Sequence, residues 1–372
     1  MRPPASLRRV LELMKKELLL VARDSRLLRV IFLAPTVQLV AFGYAVSTDV
    51  RHTATYLLDG DRTSTSRRLV EAFEASGYFD VVARVERPVE LVAALDRGDA
   101  VLAIEIPPGL AADLGSGRGA EVQLLLDGTN SNLATITRGY AERIVEGFGA
   151  SLAPRAISPP LELAERAWFN PDLKSRNYNV PAVVGMIVML VCLLLTSLAV
   201  VREREMGTLE QLLVSPLKPW ELIAGKTLPF AAIGFFDLLL VTGVALLWFK
   251  VPFRGSFALF LLASALYLLS ALGLGLLIST MSNTQQEAFM STFLIFMPAL
   301  LLSGFLFPVS SMPRVFQWLT LANPMRHYLE IARALFLKGS TAAALTPQLV
   351  ALAVIGALIF SAALLRFRTR SG

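Results

Sequence analysis

The chain has 372 residues, 55% of them hydrophobic, with a mean hydropathy of +0.59 and a net charge of +6. That apolar content excludes an ordinary soluble protein, and basic residues flanking membrane spans explain the charge more economically than a nucleic-acid partner. A single cysteine, Cys192, and two distant histidines, His52 and His327, exclude an intrachain disulfide framework and argue against a metal site.

Residues 1–27 form a basic leader. Leu7, Leu11, Met14 and Leu18 share one face of a helix, while Arg8, Arg9, Glu12, Lys15 and Lys16 lie largely elsewhere. A basic amphipathic helix ahead of a span is expected in the membrane interface. The first apolar run, 28–47, lacks a small-residue cleavage site and reads as a retained anchor.

Residues 48–179 are polar and read as a compact α/β domain. ATYLLDGD, FDVVARV, AVLAIEI and EVQLLLDG are strands, separated by helices over 64–76 and 89–97 and followed by a helix over 132–148. Pro154, Pro159, Pro160 and Pro171 mark an extended return to the membrane.

Apolar runs then resume at 180–201, 227–249, 257–281, 288–307 and 348–365, each long enough to cross a bilayer. The expected fold is an α-helical polytopic membrane protein with six transmembrane helices and an inserted extracytoplasmic α/β domain. Arg and Lys cluster before the first span, between the second and third (Arg202, Arg204, Lys218, Lys226) and after the last (Arg366, Arg368, Arg370). With six spans these clusters share one side, the cytoplasm, which also holds both termini.

Residues 202–226, REREMGTLEQLLVSPLKPWELIAGK, form the most informative segment. Gly207 allows a sharp turn out of the second span. Thr208 and Gln211 fit a capping box that starts a short helix around Leu209, Glu210 and Leu212. Pro216 and Pro219 stop it. The charges Arg202, Glu203, Arg204 and Glu205 either end a membrane helix at the interface or join the short helix as a docking element. Gly225, Lys226 and Thr227 imitate the end of a phosphate-binding loop, but Trp220 stands where the first glycine is required, so no nucleotide site is expected.

Between the fifth and sixth spans, 309–339 holds two helices broken at Asn323 and Pro324 and closed by Gly339, each too short to span. They read as re-entrant or interfacial helices on the outer face. His327, Glu330 and Arg333 there are taken as a solvated helix face. Ser303 and Gly304 are expected to permit close helix packing.

Asp237 lies near the middle of the third span. Such a carboxylate is expected to be neutral or partnered, serving substrate or proton handling or a hydrogen bond to a neighbour. Phe293 and Met297 belong to an apolar stripe on the fifth span that either lines a translocation path or packs against lipid and core.

Residues 201–226 together with NPMRHYLEIARALFLKG and the leader resemble the ABC-2 type permeases, the membrane subunits of one class of ATP-binding-cassette exporter. The arrangement is similar to bacterial multidrug-type permeases with a large first extracellular loop. The resemblance implies a connecting helix over 7–20 and a helix over 202–216 that inserts into a groove of a cytoplasmic ATPase. It also implies a second permease, identical or homologous, an inner-membrane location, and ATP and Mg bound by the partner ATPase with no cofactor on this chain. A periplasmic adaptor is a further candidate partner. A proton-coupled secondary transporter using Asp237 and a membrane-anchored sensor or scaffold presenting the outer domain are the alternatives.

Overall fold

A computed structural model describes residues 5–45, 52–116, 119–152, 168–170, 174–208 and 218–371. The chain divides into two compact units, Met1–Ser47 with Arg166–Gly372, and Thr48–Glu165. In chain order the elements begin with α1 (Ala5–Arg23), α2 (Ser25–Leu28), a π-helical turn (Arg29–Leu33) and α3 (Ala34–Ala45). Next come β1 (Thr53–Asp59), α4 (Ser64–Ala75), β2 (Phe79–Arg84), α5 (Pro88–Arg97), β3 (Leu102–Ile106), α6 (Leu110–Gly115), β4 (Gln123–Leu126) and α7 (Ser131–Leu152). The rest is helical: α8 (Ser175–Glu205), α9 (Pro219–Leu247), α10 (Phe257–Met281), α11 (Gln285–Leu301), α12 (Arg314–Thr320), α13 (Pro324–Arg333), a π-helical turn (Ala334–Lys338) and α14 (Ala342–Ser371).

In the smaller unit the described strands form a four-stranded sheet in the order β2, β1, β3, β4, with β1 parallel to both neighbours and β4 antiparallel to β3. Parallel neighbours need crossovers, which α4 and α5 supply. Alternation along the strands sends Leu57, Leu102 and Ile104 to one face with Leu69, Phe73, Phe79 and Ala141, and Leu58 and Ala103 to the other with Leu91. Helix α4 starts on a reciprocal cap, Ser66 N–H donating to Thr63 Oγ1 at 3.3 Å and Thr63 N–H to Ser66 Oγ at 3.1 Å. Gly98, at φ 74°, closes α5 in the left-handed region.

In the larger unit α8 is central. Its run from Val180 to Val201 is apolar on every side, and a helix hydrophobic all round is buried all round. It packs against α3, α9, α10, α11 and α13. Among apolar surfaces association depends on close packing, which small residues allow. A Cβ on Gly234 of α9 would stand 2.4 Å from Cys192 Sγ, and one on Gly275 of α10 would stand 3.0 Å from the Leu193 carbonyl.

Among the described residues four helices, Ser175–Glu205, Trp220–Leu247, Phe257–Met281 and Ala342–Phe367, are long and apolar enough to cross a membrane. The runs at 28–47 and 288–307 give shorter helical stretches, Arg29–Ala45 and Gln285–Leu301. The fifth run stops early because Gly304 takes φ 78° and Phe305 N–H donates to Ser303 Oγ at 3.1 Å. Ser303 and Gly304 thus turn the chain rather than pack two helices.

Helix α13 is embedded, not solvated. The rings of Tyr267 (α10) and Tyr328 (α13) stack with centroids 4.1 Å apart. Tyr267 Oη donates to the Gly185 carbonyl at 3.0 Å, and Tyr328 Oη lies 3.0 Å from Ser264 Oγ. The expected solvated face is corrected accordingly. His327 is buried with Nε2 2.9 Å from the Leu321 carbonyl. The Arg333 guanidinium lies 3.7 Å over the Tyr178 ring and donates to the Gly304 carbonyl at 3.1 Å. Glu330 accepts from Arg326 Nε at 3.3 Å and Gln348 Nε2 at 3.2 Å.

Candidate functional site

The two helix ends that border the charged segment are locked to the leader. Glu203, Lys226 and Glu17 are only 5%, 3% and 7% exposed. Lys226 Nζ donates to Glu17 Oε1 at 2.7 Å, to Glu203 Oε1 at 3.0 Å and to the Ala199 carbonyl at 3.4 Å, which uses all three of its protons. Lys16 Nζ adds a second cation 3.3 Å from Glu203 Oε1, so two carboxylates face two ammonium groups. The Thr208 hydroxyl donates to the Glu203 carboxylate as well.

Helix α1 lies along the start of α9 in register with this cluster. Arg9 is 3.6 Å from Glu221, whose other role is to cap α9 by accepting from Lys218 N–H at 3.0 Å. One turn on, Leu13 covers Gly225, where an added Cβ would stand 2.7 Å from Leu13 Cβ. Another turn brings Glu17 to Lys226. The face of α1 that meets the protein is therefore Val10, Leu13, Glu17 and Val21, while Leu7, Leu11 and Leu18 of the expected apolar face are exposed.

The remaining charges at the end of α8 bind the turn between α10 and α11. Arg204 Nη1 donates to the Ser282 carbonyl, and Glu205 accepts from Gln285 N–H at 2.8 Å and from the Gln285 amide. Ser279 Oγ accepts from Val200 N–H at 3.0 Å. That turn is itself capped, with Glu287 N–H donating to Thr284 Oγ1 at 3.1 Å and Asn283 N–H to Glu287 Oε2 at 2.8 Å.

The sequence-predicted coupling residues thus divide. Glu203 is buried, Arg204 half-buried and Glu205 exposed, each bonded within the chain; Arg202 is half-buried beside them. Gly207 takes φ 68° at the turn. Leu209, Glu210, Gln211, Leu212 and Pro216, and with Gln211 the partner half of the expected Thr208 cap, lie outside the described residues. Sequence reasoning missed Glu17, Lys16 and Lys226. The available signals were an acid interrupting the apolar line Val10, Leu13, Val21, and a lysine placed where an apolar run begins.

Asp237 is fully buried on α9, and neither carboxyl oxygen has a hydrogen-bond partner among the described residues. One turn before it, Gly234 packs against Cys192 of α8. Phe293 and Met297 on α11 are 37% and 48% exposed. Asp237 faces inward and these two outward, so the three do not share one surface. Among the described residues no group of His, Cys, Asp and Glu could hold a metal ion.

Residues 27–365 match the sequence profile of the ABC-2 family transporter protein. The chain is 36% identical to the probable multidrug ABC transporter permease YbhR of Escherichia coli (strain K12) over 97% of its length and 99% of that protein's. It is 32% identical to the probable multidrug ABC transporter permease YbhS of the same strain, over 91% of each chain. The inner membrane transport permease YhhJ, also of that strain, is 31% identical over 98% of each chain. Similarity that runs the length of the molecule, from leader to last helix, places the chain in the ABC-2 family of transporter proteins, as an integral-membrane permease subunit served by a separate ATP-binding chain.

Proposed function

We propose that this permease moves its cargo outward across the inner membrane, as half of a paired permease, by receiving force from a cytoplasmic ATPase at residues 202–219. The observation that carries this reading is the buried cluster of Glu17, Glu203 and Lys226. It clamps the end of α8, the start of α9 and the leader together on both sides of the segment 209–217. A push on that segment would therefore move three helices as one body, which is what a rigid-body switch between inward- and outward-open states needs.

The proposed topology has six crossings: the four long helices, the stretch Arg29–Ala45 and α11. Each of the last two has 17 residues, about 25 Å of helix and near the shortest that crosses a bilayer. Both termini then lie in the cytoplasm, and the sheet-bearing unit lies outside, where it guards the exit or meets a periplasmic adaptor. The boundaries we assign are 1–27 for the connecting leader, 28–47 for the first span, 48–179 for the outer domain and 180–372 for the remaining spans, with 309–339 re-entrant from the outer face. ATP and Mg belong to the partner chain. The exposed apolar side of α11, including Phe293 and Met297, faces the second permease and the path between them. Asp237 handles protons or a polar group of the cargo.

A pull-down from mild detergent tests the docking part. The wild-type chain is expected to bring down an ATP-binding chain, and Glu210→Lys with Leu212→Asp to lose it while remaining in the membrane. ATPase retained by that double variant would place docking elsewhere.

A further inference from the structure

We propose that the groove between α1, α9, α10 and α14 holds an acyl chain of an anionic phospholipid, whose headgroup is bound by Arg8 and Lys15. The groove has a volume of about 890 Å³ and is almost wholly apolar. Met14 stands at one end and Leu239 at the other, with Phe235, Phe236 and Phe360 as walls. Ala232 and Ala265, both small and exposed, line its open side on α9 and α10. Along α9 it extends from Ala224 to Leu239, about 22 Å at 1.5 Å per residue, against about 15 Å for the hydrocarbon of one leaflet. A whole acyl chain can therefore lie in it.

The charge argument comes from α1. Leu7, Leu11 and Leu18 are 46%, 47% and 40% exposed and lie beside Met14, so the apolar surface continues from the groove onto the leader. Arg8 and Lys15 are seven residues apart and fall on one line about 100–120° round the helix from Met14, at the edge of that surface. Both are exposed, and neither makes a hydrogen bond or ion pair among the described residues, whereas Arg9 and Lys16 on the far side are bound to Glu221 and Glu203. The apolar surface that runs on from the groove over the exposed leucines to two free cations, with the single acid Glu12 exposed near them, matches a lipid with a negative headgroup. A second copy seated on this surface would bring Arg8 and Lys15 of both chains, four like charges, to one contact.

The proposal does not depend on the cargo or on ATPase docking. It is tested on the full chain in a neutral detergent, titrated with dioleoyl phosphatidylglycerol or dioleoyl phosphatidylcholine and read by native mass spectrometry. The wild type is expected to hold phosphatidylglycerol about thirtyfold more tightly, the scale of two basic side chains at a lipid surface. Ala232→Trp with Ala265→Trp, both at exposed positions, should remove the tight adduct. Arg8→Ala with Lys15→Ala should lower phosphatidylglycerol to the phosphatidylcholine level and leave phosphatidylcholine unchanged. Equal binding of the two lipids by the wild type would overturn the proposal. So would a tight adduct that survives groove filling, or a dimer lost on groove filling while lipid binding stays. If the groove-filled variant melts, the charge variant decides alone: phosphatidylglycerol binding unchanged in it would also overturn the proposal.

Discussion

Lys226 spends its three protons on Glu17, Glu203 and a carbonyl, and its removal would leave two carboxylates facing the single cation of Lys16. Removing one partner of a buried ion pair typically costs about 3–5 kcal/mol, whereas replacing the whole set by apolar residues is often neutral. Lys226→Met should therefore lower the melting temperature of the detergent-solubilised chain markedly. Glu17→Gln added to it should recover part of the loss. Equal melting of wild type and Lys226→Met would mean the cluster is hydrated. Asp237 presents the opposite case, a buried carboxyl without a hydrogen-bond partner to lose among the described residues. Asp237→Asn is expected to melt no lower than wild type while transport into inverted vesicles falls several-fold. Unchanged transport would make it an inert buried acid.

At the scale of elements, helices approach one another at glycines and separate where they cannot. Gly275 lies where a Cβ would meet Thr196 Cβ at 2.7 Å and the Leu193 carbonyl at 3.0 Å, while a Cβ on Gly243 would meet no neighbouring element within 4 Å among the described residues. Gly275→Val should destabilise by about 1–3 kcal/mol, the scale of overpacking, and Gly243→Ala should be neutral or gain up to about 1 kcal/mol from helix propensity. Thermal melts of the pair check this, and equal shifts would contradict the packing described. Much of the secondary structure was legible from local signals. ATYLLDGD and FDVVARV alternate as strands do, Gly98 and Gly339 stop helices, and Asn323 caps α13 by accepting from Met325 N–H at 3.1 Å. What the sequence hid was partnership. Leu7, Leu11, Met14 and Leu18 formed the more obvious apolar face, yet α1 docks through the line containing Glu17, because Lys226 neutralises that acid. His327 and Arg333 read as solvated for the same reason: their acceptors, the carbonyls of Leu321 and Gly304, leave no mark in a sequence.

For the whole molecule, the segment after α8 lies between the two helix ends that the buried cluster ties to the leader. Family membership implies a separate ATP-binding chain, and the buried cluster fixes the helices on either side of 209–217 to the leader. As proposed, this segment meets the ATPase on the cytoplasmic side. The most direct measurement places a photocrosslinking amino acid at Glu210 or, as the comparison, at Glu71 on α4, in cells that make the intact transporter. An adduct with the ATP-binding chain is expected from position 210 and none from position 71. An adduct from position 71, or none from position 210 in a transporter that still exports, would contradict it.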